Sequence, residues 1–433
     1  MTIDKKPVTA PESDSKSAAG RKYWTQLCTP ILSSLLKSSG SYSAEEQETH
    51  IQNLSDYVIP NLGPRPSEAH TKSFLTQSGS PFQPSVNFSS KKTQVRYCWE
   101  LLGPQGGSDS DPLAVEAAQD ILSQLCKAFG YSTRWSDTWL SAFAPTLEEA
   151  KSVREMLPKW IATFTGGAEL PALKRVPFVF VAFDLDGAKT SMKAYYNPKG
   201  KEIATGKPAS DLTWKVLRSL TPALSSTAID LVEKFLAERP VFSAVELVGI
   251  DLVDEAGLSD ARVKLYVHTE NNSFNTVRDY ITLGGRLQDE TTLKGLAILK
   301  DIWHLMLQEP DGTDDDYNKP VNDSTMLCQR AYFSFEMRPG RELPEVKTYL
   351  PTWNYVRTDL ETIQNYEEVF RRCGFEWGKE SKYKELFERA FGPANHDRPK
   401  PVHCDASYLY SEKKGIYQTL YFSPPLKDGE EYE

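Results

Sequence analysis

Five short segments of this chain carry basic residues, tyrosines or both in positions that could bind an anion. In ARVKLYVHT, residues 261–269, a strand would place Arg262, Lys264, Tyr266 and His268 on one face and apolar residues on the other. The other four segments are VRYCW with Arg96, MKAYYNP with Lys193 and Tyr195, VKTYL with Lys347 and Tyr349, and YQTLY with Tyr417 and Tyr421. Each of these faces offers guanidinium, ammonium or phenol donors to an anionic ligand.

The direction in which these faces point decides what they can do. Most antiparallel strands turn an apolar face to the core and a polar face to water. If the strands close into a barrel surrounded by helices, the apolar residues must instead pack outward against the helices, and the polar residues line the lumen. The outward residues would then be Val263, Leu265, Val346, Leu350, Leu420 and Phe422.

A lumen lined by Arg96, Lys193, Arg262, Lys264 and Lys347 would hold like charges that repel at low dielectric, so the pattern predicts a polyanionic ligand. Diphosphate fits because arginine offers forked donors and lysine adds point charges. Tyrosine hydroxyls can donate to phosphate, and tyrosine rings stabilise an adjacent cation by roughly 0.5 to 2 kcal/mol each. These residue types suit a pocket that ionises a prenyl diphosphate.

The order of the elements supports such a barrel. After two N-terminal helices within residues 22–62, strand pairs alternate with helices about five times. Strands joined by short turns are antiparallel, so we predict an α+β fold with a ten-stranded antiparallel β-barrel ringed by α-helices. We also predict a strand at residues 138–144, TWLSAFA, and one helix near 210–237. Residues 1–20 are expected to form a disordered tail before a single domain at 21–433.

Composition and charge argue against several other functions. A net charge of -9 over 433 residues, with dispersed Lys and Arg, gives no basic surface for nucleic acid. Six cysteines without a CxxC pair, and an N-terminus without an apolar signal segment, favour reduced thiols in the cytoplasm. No apolar stretch is long enough for a membrane span. The acidic run DGTDDDY, residues 311–317, lacks the DDxxD spacing of magnesium sites and is interpreted as a solvated loop.

Several motifs together resemble the fungal indole prenyltransferases of the dimethylallyl tryptophan synthase family. They are NLGPRP, SGSPFQPSVN, VRYCWE, MKAYYNP, RVKLY, RDYITLGGRL, EVKTYLP and KKGIYQTLYFSP, and the resemblance runs from about Tyr23 to Pro424. It implies the barrel of ABBA prenyltransferases. It also implies metal-independent transfer of a dimethylallyl group from dimethylallyl diphosphate to the indole of tryptophan or of a tryptophan-containing cyclic dipeptide. We expect no cofactor, small-molecule partners, and a monomer or homodimer.

The resemblance assigns roles to individual residues. It makes Gln83 and Lys193 catalytic and places Phe74, Leu75 and Gln83 at the acceptor. The diphosphate-binding residues that it implies are Arg96, Lys193, Tyr195, Arg262, Lys264, Tyr266, Lys347, Tyr349, Tyr417 and Tyr421.

Two positions depart from the family pattern. Gln83 stands where the family has a glutamate that accepts the indole N–H, and Phe180 lies nearest to the position of a lysine proposed as the base. The base is therefore unassigned, and a non-indole acceptor such as tyrosine or a phenolic polyketide is an alternative. A non-catalytic barrel that binds an anion is a second alternative, since basic walls alone require only an anion.

Overall fold

The computed structural model describes residues 15–65, 72–165, 175–240, 245–323, 330–356, 358–394 and 400–426. Within these ranges ten strands form one closed antiparallel barrel, in which each strand pairs with its neighbours in chain order and β1 closes on β10. The strands are β1 (Phe82–Ser89), β2 (Thr93–Glu100), β3 (Val179–Asp186), β4 (Lys189–Tyr196), β5 (Leu247–Leu252), β6 (Val263–His268), β7 (Tyr332–Met337), β8 (Glu345–Leu350), β9 (His403–Ser411) and β10 (Gly415–Phe422).

Helices surround the barrel. In the described ranges they are α1 (Ser15–Ser39), α2 (Ala44–Asn53), α3 (Val115–Phe129), α4 (Arg134–Phe143), α5 (Leu147–Thr165), α6 (Lys199–Thr205), α7 (Ala209–Ser219), α8 (Ser226–Ala237), α9 (Phe274–Ile281), α10 (Glu290–Leu307), α11 (Asp359–Arg372) and α12 (Lys382–Phe391). Helix α1 packs on β1 and β2, α8 on β7, α9 on β8 and α10 on β9. None of the described helices combines the length and the apolar character needed to cross a membrane.

The apolar face of each strand points outward, as the alternation predicts. In β6, Val263, Leu265 and Val267 are fully buried beneath the helices, while Lys264 and Tyr266 line the lumen. Helices on the outside and polar groups on the inside invert the usual arrangement of an antiparallel sheet. The predicted α+β barrel is confirmed.

Three sequence predictions about local structure are wrong. Residues 138–143 belong to α4, where buried Trp135, Trp139 and Phe143 recur at helical spacing that a seven-residue window is too short to reveal. The helix expected near 210–237 is two helices, because Pro222 interrupts the segment. Helix α1 already begins at Ser15, so the tail boundary at residue 20 is too late, and residues 1–14 lie outside the described ranges.

A buried polar cluster fixes the start of β9. Asp359, the first residue of α11, accepts hydrogen bonds from the backbone N–H groups of Val402 at 2.9 Å and His403 at 3.0 Å. Its carboxylate also contacts His403 Nδ1 at 2.7 Å, and Tyr383 Oη lies 2.6 Å from His403 Nε2. Both ring nitrogens of His403 contact groups outside the barrel. These contacts fix the position of Cys404 and Asp405, the next two residues of β9, on the inner wall.

Leu265→Ala is expected to lower the free energy of unfolding by about 2 to 5 kcal/mol, since it removes a fully buried side chain between the barrel and its helices. Tyr266→Phe, one residue further, removes only a hydroxyl from the lumen side and should cost about 1 kcal/mol or less. Chemical denaturation of the two variants checks this, and equal losses would mean that β6 is not oriented as described.

Candidate active site

The barrel lumen contains a cavity of about 1180 Å³. This volume exceeds the usual range of about 300 to 1,000 Å³ for a pocket with one small ligand, so it has room for two substrates. All thirteen site residues predicted from the sequence line it, and they are Phe74, Leu75, Gln83, Arg96, Lys193, Tyr195, Arg262, Lys264, Tyr266, Lys347, Tyr349, Tyr417 and Tyr421. Their roles stay predictions at this point, but the structure brings every one of them together.

Five basic side chains gather at one end of the lumen, and we call them the cation cluster: Arg96, Lys193, Arg262, Lys264 and Lys347. Three carboxylates, the counter-acids Asp184, Asp251 and Glu336, lie among them. Arg96 Nε is 2.5 Å from Asp184 Oδ1, and Lys193 Nζ contacts the other oxygen of the same carboxylate. Arg262 Nε is 2.5 Å from Asp251 Oδ2, and Lys264 Nζ is 3.0 Å from Glu336 Oε2.

The counter-acids correct the sequence prediction of a lumen with uncompensated positive charge. Each lies on the first strand of a pair, directly opposite a cation on a neighbouring strand: Asp184 faces Arg96, Asp251 faces Lys193, and Glu336 faces Lys264. Opposite charges in facing positions stabilise strand pairing, and here they also neutralise buried charge. The sequence contains enough information to predict these acids. VFVAFDL, LVGIDL and YFSFEM each place an acidic residue at one of the alternate positions that face the lumen.

Burial and neighbouring charges shift the proton affinities of this cluster. Burial would raise the pKa of Asp184, but Arg96 and Lys193 outweigh it and hold the pKa well below its usual range. Burial, followed by repulsion from Arg96, lowers the pKa of Lys193 to about 7. Burial and Arg96 also lower the pKa of Lys347, which forms no ion pair among the described residues. A bound anion would favour the charged forms of both lysines.

A belt of tyrosines lies next to the cation cluster. Ring centroids are 5.9 Å apart for Tyr195 and Tyr266, 5.8 Å for Tyr266 and Tyr349, 4.6 Å for Tyr349 and Tyr332, and 6.4 Å for Tyr349 and Tyr421. We call these five residues the tyrosine belt. Their connected ring faces form a wall that can stabilise a carbocation in the lumen.

Small and basic neighbours support this wall. A side chain at Gly249, on β5, would place its Cβ 2.9 Å from the Tyr195 ring, so glycine makes room for that ring. Lys347 Nζ lies 5.0 Å from the ring centroid of Tyr349 and 5.2 Å from that of Tyr417. These distances connect the belt to the cation cluster, so a diphosphate and the carbon attached to it would meet adjoining surfaces.

The opposite end of the lumen, the acceptor end, is more apolar. Beyond the strand ends it is lined by Phe74, Leu75, Leu157, Trp160, Val176 and Trp353. Gln83 Nε2 donates to the Leu75 carbonyl at 3.0 Å and to Cys404 Sγ at 3.4 Å. Because the amide nitrogen is occupied, the amide oxygen of Gln83 is the atom left to accept a hydrogen bond from a ligand.

Other residues of the cavity had no role in the sequence prediction. Tyr332, Cys404 and Asp405 lie on β7 and β9, which carry none of the five segments that the sequence singles out. Lys414, in the turn between β9 and β10, closes the cationic end with its Nζ 5.0 Å from the Tyr417 ring centroid. His268 lies at the acceptor end, where its Nδ1 is 2.5 Å from Glu246 Oε2.

The acidic run at 311–317 plays a structural part. Asp315 binds Arg278 at 2.7 Å and also pairs with Lys300, which fixes the loop against α9 and α10. Within the described ranges, no group of three or more His, Cys, Asp or Glu side chains is placed to hold a metal ion.

A closed antiparallel barrel with basic side chains, a tyrosine belt and room for two substrates defines an aromatic prenyltransferase. The sequence model described as tryptophan dimethylallyltransferase matches residues 21–385. The chain belongs to this family. The predictions of the family, of its barrel and of an enzyme that prenylates indoles are therefore confirmed, and the alternative of a non-catalytic barrel is removed.

Relatives and solved structures agree with this assignment. The indole diterpene prenyltransferase ltmF of Epichloe festucae var. lolii is 55% identical, over 94% of this chain and 93% of its own length. The indole diterpene prenyltransferase idtF of Claviceps paspali is 45% identical, over 98% of this chain and 99% of its own length. The crystal structure of AnaPT from Neosartorya fischeri shares the fold with a TM-score of 0.78, at 24% identity over 95% of both chains.

Asp184→Asn is expected to lower the free energy of unfolding of the ligand-free enzyme by about 3 to 5 kcal/mol, because it leaves two buried cations without their carboxylate. If pyrophosphate binds at the cation cluster, it would supply negative charge at the same place, and it should raise the melting temperature of the variant more than that of the wild type. Thermal unfolding with and without pyrophosphate measures both effects.

The matched control for this prediction is Asp230→Asn, which removes an exposed partner of Arg218 outside the lumen. It should change neither the stability nor the response to pyrophosphate by a measurable amount. The same pyrophosphate shift in Asp184→Asn and in the wild type would contradict the assignment of this cluster to the anion.

Lys264→Ala is expected to lower kcat/KM for dimethylallyl diphosphate at least about tenfold, since a charge-assisted hydrogen bond to phosphate contributes roughly 1.5 to 3 kcal/mol. The fold should tolerate the change, because Glu336 keeps Arg262 and Arg338 as partners. Lys215→Ala, on the exposed face of α7, is the control for loss of a lysine elsewhere. Equal rates for the two variants would place the diphosphate away from Lys264.

Proposed function

We propose that this enzyme transfers a dimethylallyl group from dimethylallyl diphosphate to the indole of an indole diterpene. The observation that supports this acceptor is the 1180 Å³ cavity with an extended apolar end. The relatives ltmF and idtF, both described as indole diterpene prenyltransferases, support it independently.

The donor binds with its diphosphate among the cation cluster. Lys347, which lacks a carboxylate partner among the described residues, and Lys193, whose pKa is lowered to about 7, gain most from the added negative charge. Arg96 and Arg262 can turn further N–H donors to the phosphate oxygens while each keeps its own carboxylate. These contacts strengthen as the carbon–oxygen bond breaks and charge collects on the leaving diphosphate, which lowers the barrier to ionisation.

The dimethylallyl cation then forms against the tyrosine belt. Ring faces stabilise the cation without attacking it, because the phenols are buried and burial raises the pKa values of Tyr195 and Tyr266 far above their usual range. The belt also separates the cation from bulk water. An electron-rich ring held at the acceptor end is then the nucleophile that the cation meets.

The acceptor end recognises an indole through Gln83. Its amide oxygen accepts the ring N–H, while the bonds from its amide nitrogen to Leu75 and Cys404 hold the side chain in place. Gln83 is neutral, whereas the family has a charged glutamate at this position. A second group in the site would then have to supply the negative charge.

The remaining contacts at this end fit a large apolar skeleton better than an amino acid. Among the described residues, Lys199 is paired with Glu202 at 2.8 Å, whereas Arg330 donates only to neutral groups, Asn318 and the Lys319 carbonyl, and keeps its charge. A diterpene needs no cation and would contact the apolar walls of this end. Aromatic and aliphatic walls would contact such a skeleton over most of its surface.

A tryptophan-containing cyclic dipeptide is the second candidate, because it also lacks a carboxylate. A solved structure of similar fold, NotF in complex with brevianamide F and DMSPP, covers 96% of this chain with a TM-score of 0.75 at 22% identity. The cavity has the volume for an acceptor of that size.

A panel of acceptors tests the proposal. With dimethylallyl diphosphate and EDTA, kcat/KM should be highest for an indole diterpene, lower for the cyclic dipeptide, and lowest for tryptophan, tyrosine and a phenolic polyketide. Mass spectrometry identifies each product by one added dimethylallyl group. A preference for free tryptophan or for a phenol would contradict the proposed acceptor, and loss of turnover in EDTA that magnesium restores would contradict metal-independent ionisation.

A further inference from the structure

A carboxylate lies at the acceptor end, next to the position where the family glutamate is absent. Asp405 belongs to β9, lines the cavity, and is partly buried. Its Oδ2 accepts a hydrogen bond from Cys404 Sγ at 3.1 Å, and the same sulfur accepts from Gln83 Nε2 at 3.4 Å. Gln83 and Asp405 therefore flank one atom, and both reach the space where the acceptor ring would lie.

The structure gives Asp405 no counter-charge of the kind that the counter-acids of the cation cluster have. Asp184, Asp251 and Glu336 each contact a lysine or an arginine, whereas no basic side chain in the described ranges forms an ion pair with Asp405. Burial of an unpaired carboxylate costs free energy, so a fold retains it where function requires it. The carboxylate is thus available to a substrate.

We propose that Asp405 is the general base that removes the ring proton of the acceptor after prenyl transfer. This inference rests on the proposed aromatic substitution, and it fills the role that stayed unassigned because Phe180 occupies the region of the family lysine. Gln83 holds the ring N–H through its amide oxygen, and Asp405, on the other side of Cys404, faces a different edge of the same ring.

Removal of the ring proton needs no reactant other than the prenylated ring and Asp405. Once the dimethylallyl carbon has bonded to the ring, the attacked carbon carries both the new substituent and its original hydrogen. An Asp405 oxygen takes that hydrogen as a proton, and the electron pair of the carbon–hydrogen bond returns to the ring and restores aromaticity. Asp405 is then a carboxylic acid, and it loses the proton to solvent when the products leave.

The surroundings of Asp405 suit this role. Burial raises its pKa to about 6, while Cys404 and His268 act in the opposite direction. Titratable groups near it include His268 on β6 with its partner Glu246, Tyr332 on β7, Cys404 on β9, and Tyr421 on β10, which the strand register places opposite Cys404 and Asp405. A base with a pKa near 6 is ionised at neutral pH and still accepts a proton readily, which is the useful range for general base catalysis.

Asp405→Asn keeps the size of the side chain and removes the base. With the acceptor that the wild type converts best, kcat should fall by about 100-fold or more, the lower end of the usual contribution of a general base, while KM for dimethylallyl diphosphate stays within about twofold. A ring deuterated at the substituted carbon should show a primary isotope effect on kcat in the variant and little effect in the wild type, because proton removal becomes rate-limiting.

The pH profile adds a readout that a structural role would not give. In the wild type, kcat should fall as the pH drops through about 6 and Asp405 becomes protonated. In Asp405→Asn this acidic limb should disappear. Asp405→Glu, which restores a carboxylate, should recover part of the rate, and Asp230→Asn, an exposed carboxyl outside the lumen, should leave kcat unchanged.

Pyrophosphate binding reports whether the variant is folded: an unchanged Kd with a large loss of kcat supports the proposal. A kcat within threefold of the wild type would overturn it, as would a loss of kcat without an isotope effect. Failure of the proposed function is recognised separately, because it would appear in the wild type as a lack of any prenylated indole.

Discussion

Five cations that are wholly or largely buried inside one barrel need negative charge beside them, and the rest of the site follows from that requirement. In the ligand-free enzyme the counter-acids supply it, each from a strand next to the cation that it neutralises. The diphosphate of the donor can supply it in the complex. Because the counter-acids neutralise part of this positive charge, the cations can hold their positions in the lumen before the anion binds.

This electrostatic requirement also orders the lumen along its length. The charged side chains lie at one end, where Arg96 and Lys193 both contact Asp184. The tyrosine belt lies next to them. The acceptor end begins where the belt stops, at Gln83 and Asp405. In the proposed mechanism, a carbocation generated at the first end meets these aromatic faces before the ring held at the second, and placement within about an ångström would decide which ring atom reacts.

The sequence predicts the barrel and its cationic face because alternation within a strand is a local property: Lys264 and Leu265 must face opposite sides. Pairing across strands is not local, so the contact of Arg96 with Asp184, 88 residues away, depends on the register of the closed barrel. The same holds for Asp405. It lies near Gln83 because Cys404 contacts both residues, and Gln83 comes from the opposite end of the chain. Helix α4 was missed for a different reason, since its apolar spacing shows only over ten residues.

The most direct test is a crystal structure with dimethylallyl S-thiolodiphosphate, which binds like the donor but does not ionise readily. The account predicts diphosphate oxygens within about 2.7 to 3.2 Å of Lys347 and of the arginines of the cation cluster. It also predicts that the prenyl chain crosses the tyrosine belt with its reactive carbon towards Gln83 and Asp405. Density for the diphosphate outside the cation cluster, or a prenyl chain directed away from the belt, would contradict the central claim.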